Sequence, residues 1–575
     1  MSNNEQTLIE KLNFLIDKNL DNPKFTLESI CIDLGISRSH LHRVLSNHRQ
    51  PSTTLYIRKR RLEKAKELLN NTEMRMSEIA DAVGFNNPQN FSKYFAEEFK
   101  VSPSELKKRI LLESEKEKIS IAVLPFINRS SDISQEYFSD GITEELINVL
   151  SQIPSLKVLG RSSSFSYKSK NEDLREFGKL LNVSFILEGS VQKSANKLRI
   201  SVQLIKASDG FQIWSEKYDR ELTDVFDIQD EISLSILREI EVKLLGNHKE
   251  YALKRYTNNP EAYERYLKGR YFHNKFAGEE EYQKAISYFK SAIEIEPNYA
   301  IAYSGIASCY LNLWFYRFLQ PHESLTLMKL ATAKAMEIDD QMPDSYLSQA
   351  RMELLFKWDF KSAKNSYKKA LELGGNSAEL HIQYALFCGI CENHDLAQKH
   401  NLKALSIDPF SLVNSFYSSY IYWIAGNFEQ AYKQGKKMLD LEPNFWGGHF
   451  IIGLNQIKIN KYDEALDSLN LALKYNYSGI TLSAIGVLHA LSHKYKEAET
   501  IIEDLKLLSK TKPVSNYDLA IIYAAIKDFH TANLYFKEAI DKNEPSMLFF
   551  KFIIRDWVPD FLLDHRYENL VKQIY

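Results

Sequence analysis

The chain is poor in cysteine, with four in 575 residues: Cys31, Cys309, Cys388 and Cys391. That number cannot build a disulfide framework and suits a reducing compartment. No apolar run approaches the ~18 residues needed to span a bilayer. No basic-then-apolar leader opens the chain, so a cytoplasmic protein without membrane association is expected. A Walker lysine motif, a G-x-G-x-x-G loop and a nucleophile elbow are all missing, so no catalytic residues are assigned and no enzymatic activity is expected. Cys388-Gly-Ile-Cys391 lacks a second cysteine pair, and adding His394 gives an i, i+3, i+6 spacing that closes no tetrahedral site. Buried small residues are the expected reading there, with no metal and no cofactor.

Net charge is only −2, but it is unevenly spread. Residues 1–112 carry 18 Lys and Arg against 14 Asp and Glu, leaving the rest acidic. A basic head on an acidic body suits a nucleic-acid-binding end with a separate partner- or signal-binding end. With 44% hydrophobic and 12% aromatic residues, the chain can build sizeable cores, and its length predicts several of them.

Residues 26–106 contain two similar units. Each has a short apolar-periodic helix, a glycine (Gly35, Gly84) where the turn needs positive φ, and a second helix. Ser37 is the expected N-cap of the second helix in the first unit; Asn87 followed by Pro88 plays that part in the second. The glycines lie 49 positions apart. A helical stretch, Pro51–Asn71, joins the units, with Leu55, Leu62, Ala65, Leu68 and Leu69 expected on one face. A stiff linker of this length can place two recognition helices in successive major grooves, roughly 34–36 Å apart. An amphipathic helix over residues 4–20, with Leu8, Ile9, Leu12, Leu15 and Ile16 in a stripe, is expected to prop the first unit.

Ile79-Ala-Asp-Ala-Val-Gly-Phe, Asn90-Phe-Ser-Lys-Tyr-Phe and Phe99-Lys-Val-Ser-Pro-Ser-Glu-Leu resemble the second half of the AraC-type DNA-binding domain. Arg61-Leu-Glu-Lys-Ala-Lys-Glu-Leu-Leu is similar to that family's linker helix. Two positions depart from the pattern. Lys100 stands where the family usually has glycine, which suggests a different helix C-cap, and Leu45 stands where it has an aromatic. With Leu41, Val44, Leu45, Phe91 and Phe95 facing inward, the residues left for double-stranded DNA are Arg38, Ser39, His40, His42 and Arg43 in the first unit. In the second they are Asn87, Gln89, Asn90 and Lys93. Gln and Asn can pair bidentately with adenine, and Arg with guanine. Arg58 and Lys59, within the Arg58–Arg61 run, and Lys93 are better placed for phosphates, which position the protein without specifying sequence. His40 and His42, two residues apart, point to different helix faces and suggest no metal.

Residues 107–118 are charged and read as a helix tail running into a linker. From Ile119 the texture changes. Strands are expected at Ile119–Phe126, from Lys157, and in three runs beginning at Phe185, Leu198 and Gln212. Turns are expected at Ser194–Lys197 and Ser208–Gly210, and helices over Glu136–Ile153, Asp173–Asn182 and Val225–Leu244. Two strand–helix steps followed by a meander indicate a small α/β domain. Ile-Ala-Val-Leu-Pro-Phe, Leu-Glu-Gly-Ser-Val and Trp-Ser-Glu-Lys-Tyr-Asp-Arg here are similar to the TolB-N-terminal-like module, which implies a fold and a middle position without a chemistry. Asp140, Glu144 and Glu145 are expected to do no more than favour a helix dipole. Arg161-Ser-Ser-Ser could cradle an anion, though a polar loop is the commoner explanation.

Beyond residue 260, Ala363, Ala397, Ala431, Ala465, Ala498 and Ala532 recur at steps of 34 residues, once 33. Ala370, Ala404, Ala472 and Ala539 keep a second register, and Asp408-Pro409 and Glu442-Pro443 mark repeat ends. The period resembles tetratricopeptide repeats, about eight of them, forming an α-solenoid. The expected architecture is multidomain. An all-α DNA-binding head of two helix-turn-helix units (1–112) precedes a small α/β middle domain (119–245). The repeat solenoid (260–546) and a C-terminal cap (547–575) follow. The repeats would bind a protein or peptide partner, or a second copy; the resemblance of the head implies a homodimer, although no coiled-coil heptad is present. These features point to a sequence-specific transcriptional regulator. The competing reading is a cytoplasmic repeat scaffold with a vestigial head.

Overall fold

The computed structural model describes the chain except residues 1–2, 21, 23–24, 48–51, 72–73, 75, 86, 108–118, 154, 169–172, 195, 241–254, 276–277 and 317. The expected linker therefore lies largely outside the described residues, as do Pro51 and the end of the helix expected to reach Leu244. The fold divides into two units, Met1–Lys118 and Ile119–Tyr575.

The first unit holds α1 (Asn3–Lys18), α2 (Leu27–Leu34), α3 (Arg38–Asn47), α4 (Thr53–Asn71), α5 (Met76–Ala82) and α6 (Pro88–Phe99). Its apolar residues form two small cores. Leu12 and Ile16 of α1 pack with Ile30, Leu41, Leu45, Tyr56 and Ile57, so α1 does prop the first helix-turn-helix. Leu62, Ala65 and Leu69 pack with Ile79, Val83, Phe91 and Phe95. Helix α4 thus serves the two cores in succession, and its buried face shifts along its length. Leu55, expected on the inner stripe, is 45% exposed, and Tyr56 and Ile57 are buried in its place.

The second unit opens with a mixed sheet. Its strands are β1 (Ile119–Val123), β2 (Ile127–Asn128), β3 (Leu156–Val158), β4 (Phe185–Ser194), β5 (Lys197–Lys206) and β6 (Gln212–Glu221). Their order is β3-β1-β4-β5-β6, with β2 beside β4. The pairs β1/β3 and β1/β4 are parallel, while β4-β5-β6 is an antiparallel meander. Helices α7 (Glu136–Ser151), α8 (Arg161–Phe165), α9 (Leu174–Leu181) and α10 (Val225–Glu239) complete it. The parallel strands are buried on nearly every residue, because helices cover both faces there.

From Pro260 to Asp541 the described residues form eight antiparallel helix pairs. The alanines of the 34-residue period explain them. Ala363, Ala431, Ala465, Ala498 and Ala532 are fully buried, and a methyl at each crossing lets neighbouring helices approach closely. After the last pair, α27 (Phe550–Trp557) and α28 (Tyr567–Ile574) do more than close the end. Phe550 packs on Phe536, and Phe549 reaches Tyr420. Trp557 meets Trp423, and Tyr575 stacks on Phe360. The C-terminal segment therefore runs back along several repeats. Cys388 is buried as expected, whereas Cys391 is exposed at a helix end.

Candidate nucleic-acid interface

The two helix-turn-helix units close their turns in the same way. Gly35 has φ +66° and Gly84 φ +73°. In the first, the Gly35 amide donates to Ile32 O and the Ile36 amide to Cys31 O; in the second, Gly84 donates to Asp81 O and Phe85 to Ala80 O. Each is the paired C-cap bonding that a left-handed residue permits. The following helix is capped in both units. The His40 amide donates to Ser37 Oγ at 3.2 Å. The Asn87 side chain accepts from the Gln89 and Asn90 amides at 2.7 and 3.3 Å, with Pro88 at the first helical position.

With Leu41, Val44 and Leu45 buried on α3, the side chains of Arg38, Ser39, His40, His42 and Arg43 are exposed. On α6, Phe91 and Phe95 are buried while Asn87, Gln89, Asn90 and Lys93 are exposed. Helical spacing puts Ser39 with His42 and Arg43 on one strip, and Gln89 with Lys93 on another. Two of these residues already have work inside the head. Arg38 pairs with Glu28, and the Asn87 carbonyl is committed to its cap. Arg58, half-buried, lies 4.1 Å over the Tyr94 ring, and Lys59 sits 3.8 Å from Glu98. Both therefore bind α4 to the second recognition helix. Arg61 extends that role: its guanidinium donates to Gly84 O at 3.1 Å and to Asn22 O at 2.6 Å. Burial lowers its pKa from the usual arginine range. The basic run reads from sequence as a phosphate grip, yet its three arginines are all half-buried and only Lys59 is exposed, which composition does not tell.

The anion-cradle candidate in the second unit is filled from within the chain. At the start of α8, the Ser162 and Ser163 amides donate to the Asp408 carboxylate at 3.2 and 2.8 Å, and Ser163 Oγ donates to it at 2.5 Å. Gly160 N donates to Ile407 O, and Phe410 N to Ser163 Oγ. Asp408, read from sequence as a repeat end, thus fastens the sheet domain to the turn between two repeats. Glu144 makes a second fastening, accepting from Arg161 Nε at 3.2 Å, Arg270 Nε at 2.9 Å and Asn274 Nδ2 at 2.8 Å. Burial alone would raise its carboxyl, but Arg270 and Arg161 overcome that and hold it at about 2. Burial and the Glu144 charge push neighbouring Glu145 up to about 7. Glu144 thus joins the sheet domain to the repeats, a role beyond the helix-dipole one expected of it, while Glu145 accepts from Asn148 on its own helix.

Residues 30–109 match the family described as a helix-turn-helix domain. Residues 116–234 match the second domain of HilA/YgeH-like transcriptional regulators. A protein of Rhizobium meliloti (strain 1021), provisionally named adenylate cyclase 3, is 39% identical over 201 residues, 34% of each chain. The HTH-type transcriptional regulator GbdR of Pseudomonas aeruginosa (strain UCBPP-PA14) is 30% identical over 103 residues, covering 18% of this chain and 28% of the regulator. The chain therefore spans about a third or less of the length of these relatives. Among solved structures, the TPR protein YrrB, described as having an unusual peptide-binding site, covers 34% of this chain and 94% of its own at 19% identity, with a TM-score of 0.23. At that score the repeat assignment rests on the 34-residue period and the helix pairs themselves. The chain combines an AraC-type helix-turn-helix head, a HilA-like second domain and a C-terminal run of helical repeats, and it has homologues among DNA-binding transcription regulators.

Proposed function

We propose that the protein is a sequence-specific transcriptional regulator in which residues 1–112 read DNA. Residues 119–245 form the middle domain, 260–546 a partner-binding solenoid, and 547–575 its cap. The observation carrying this reading is the duplicated unit: two identically closed turns, each followed by a capped helix whose inner face is apolar and whose outer face is polar. Ser39, His42 and Arg43 of the first unit, and Gln89, Asn90 and Lys93 of the second, are the proposed base-reading and groove-lining set. Lys59 contributes to the phosphate grip, while Arg38, His40, Arg58 and Asn87 support it from the flanks. A DNA-reading head requires the compartment that holds the DNA, which fits a cytoplasmic protein. No enzymatic activity is proposed, because the chain carries none of the phosphate-binding or nucleophile motifs sought. The solenoid is assigned a protein or peptide partner, taken up on repeat surfaces that the middle domain and the C-terminal segment leave open.

Selection of genomic DNA by the full-length protein, beside an Arg43→Ala/Lys93→Ala variant, tests this. A bound motif in two blocks about one helical turn apart, lost in the variant, is the expected result. Affinity should fall steeply with salt, since phosphate contacts release counterions. Recovery of no motif at moderate salt, with a partner still bound through residues 260–575, would overturn it in favour of a repeat scaffold.

A further inference from the structure

We propose that two copies of this chain associate through β6, pairing edge to edge about a twofold axis at Tyr218. Strand β6 ends the sheet, and among the described residues it pairs with β5 alone. It is ten residues long, and eight of them are exposed. Long open edges of this kind are templates for a further strand.

The backbone dictates which registers are open to it. The Leu222 amide donates to Asn196 O on the β5 side, so alternation turns Arg220, Tyr218 and Glu216 toward β5 as well. The amides and carbonyls of Ser215, Lys217, Asp219 and Glu221 then point away from the sheet. An antiparallel partner must match outward residues with outward residues, which places the twofold axis on a residue and never between two. Within the charged stretch Glu216–Arg220, charge selects among the positions that remain. An axis at Lys217 sets Lys217 against its own copy, and an axis at Asp219 does the same for Asp219. Axes at Glu216 and Arg220 repeat the fault with Glu216 and Arg220. Like charges directly opposite are destabilising. With the axis at Tyr218, Lys217 faces Asp219 of the second copy and Glu216 faces Arg220, each twice by symmetry. Four opposite-charge pairs result and no like-charge pair.

The ladder closes where Ser215 faces Glu221 of the second copy, because Leu222–Asp224 turns into a 3-10 helix. Ile213, 41% exposed, lies just beyond it as an apolar margin. Phe211, 73% exposed, extends the apolar margin. Asp219 already receives Arg199 Nε at 2.5 Å from β5 and lies 3.4 Å from Lys217 on its own strand. Lys217 of the second copy would continue that ladder of alternating charge. This association does not depend on the DNA reading and would stand if the heads were relics.

Sedimentation equilibrium of the full-length protein tests it. The wild type should dimerise. Lys217→Asp and Asp219→Lys should each raise the dimer dissociation constant by about tenfold or more, because one substitution makes two pairs like-charged. The double variant Lys217→Asp/Asp219→Lys, which exchanges the charges within one chain, should recover wild-type affinity. A mixture of the two single variants should form heterodimers more tightly than either forms homodimers. These side chains are about half exposed, so circular dichroism should be unchanged. A monomer at all concentrations, or a dimer weakened by neither single variant, would overturn the proposal.

Discussion

The two helix-turn-helix units share a turn and a pair of cap bonds, yet they are held in place differently. Around Gly35 the turn stands open: a Cβ built there would meet nothing within 4 Å. Around Gly84 it is crowded, and a Cβ there would collide with the Leu20 carbonyl oxygen and lie 2.9 Å from the Arg61 guanidinium carbon. The second unit also carries a run of aromatic contacts, Phe85–Phe91, Phe91–Phe95 and Phe95–Phe99, with centroids 4.6–5.7 Å apart. The first core is built mostly from aliphatic side chains. One motif can therefore be a freestanding turn in one place and a junction in another. At Gly84 the linker helix, the loop before the first unit and the second turn all meet through Arg61.

The largest test of that difference is Gly84→Ala. The left-handed backbone costs a non-glycine residue about 1–2 kcal/mol, and displacing a backbone carbonyl and a bonded guanidinium adds about 1–3 kcal/mol of overpacking. Hydrogen exchange of the α6 amides in the full-length protein should show the second unit losing about 2–5 kcal/mol of local stability, a large part of a small domain's total. Gly35→Ala carries the backbone cost alone, so α3 should lose only about 1 kcal/mol. Equal losses at the two glycines would mean that Arg61 and the Leu20 carbonyl move aside without cost, and the junction would lose its physical basis.

The head was legible because its signals are local. A glycine before a capping Ser or Asn fixes a turn, and apolar spacing fixes the inner face, so Leu41, Val44, Phe91 and Phe95 could be placed inward from sequence alone. The repeats were legible because one period recurs and a small residue is required at each crossing. What depends on residues far apart in sequence was not. Asp408 carries the pattern of a repeat end, and nothing nearby in sequence tells that it caps α8 across 245 residues. Glu144, expected at a helix start, lies in the middle of α7, and its partner Arg270 belongs to a repeat. Among the candidate DNA contacts, sequence identified exposed faces well. It could not tell that Arg58 and Arg61, and Lys59 through Glu98, are drawn into contacts within the head.

The caps extend the comparison at smaller scale. Asn87 satisfies two amides, at 2.7 and 3.3 Å, and Ser37 one, at 3.2 Å. Asn87→Ala should cost the second unit about 1 kcal/mol and Ser37→Ala the first about 0.5 kcal/mol, the lower part of the range for such losses. Because Pro88 keeps the first helical φ in place after Asn87 is truncated, α6 should lengthen its fraying without shifting its start. Exchange rates of the Gln89 and Asn90 amides against that of His40 would read the ratio directly.

The smallest effect concerns the end of α6. Lys100 in place of the family's glycine suggested a different cap, but the structure keeps the left-handed one: φ is +59°, and the Lys100 amide donates to Ala96 O. The side chain offsets part of the strain by donating from Nζ to Glu97 O at 2.8 Å. Lys100→Gly removes both the strain and that bond while freeing the unfolded chain, so the gain should be modest, about 0.5 kcal/mol toward a more stable second unit. It should be visible as slower exchange at Phe95 and Phe99, with α3 unchanged. A loss of stability would show that the Lys100–Glu97 bond outweighs the backbone strain, and that this chain holds the helix end by a side chain where a glycine would rely on backbone freedom alone.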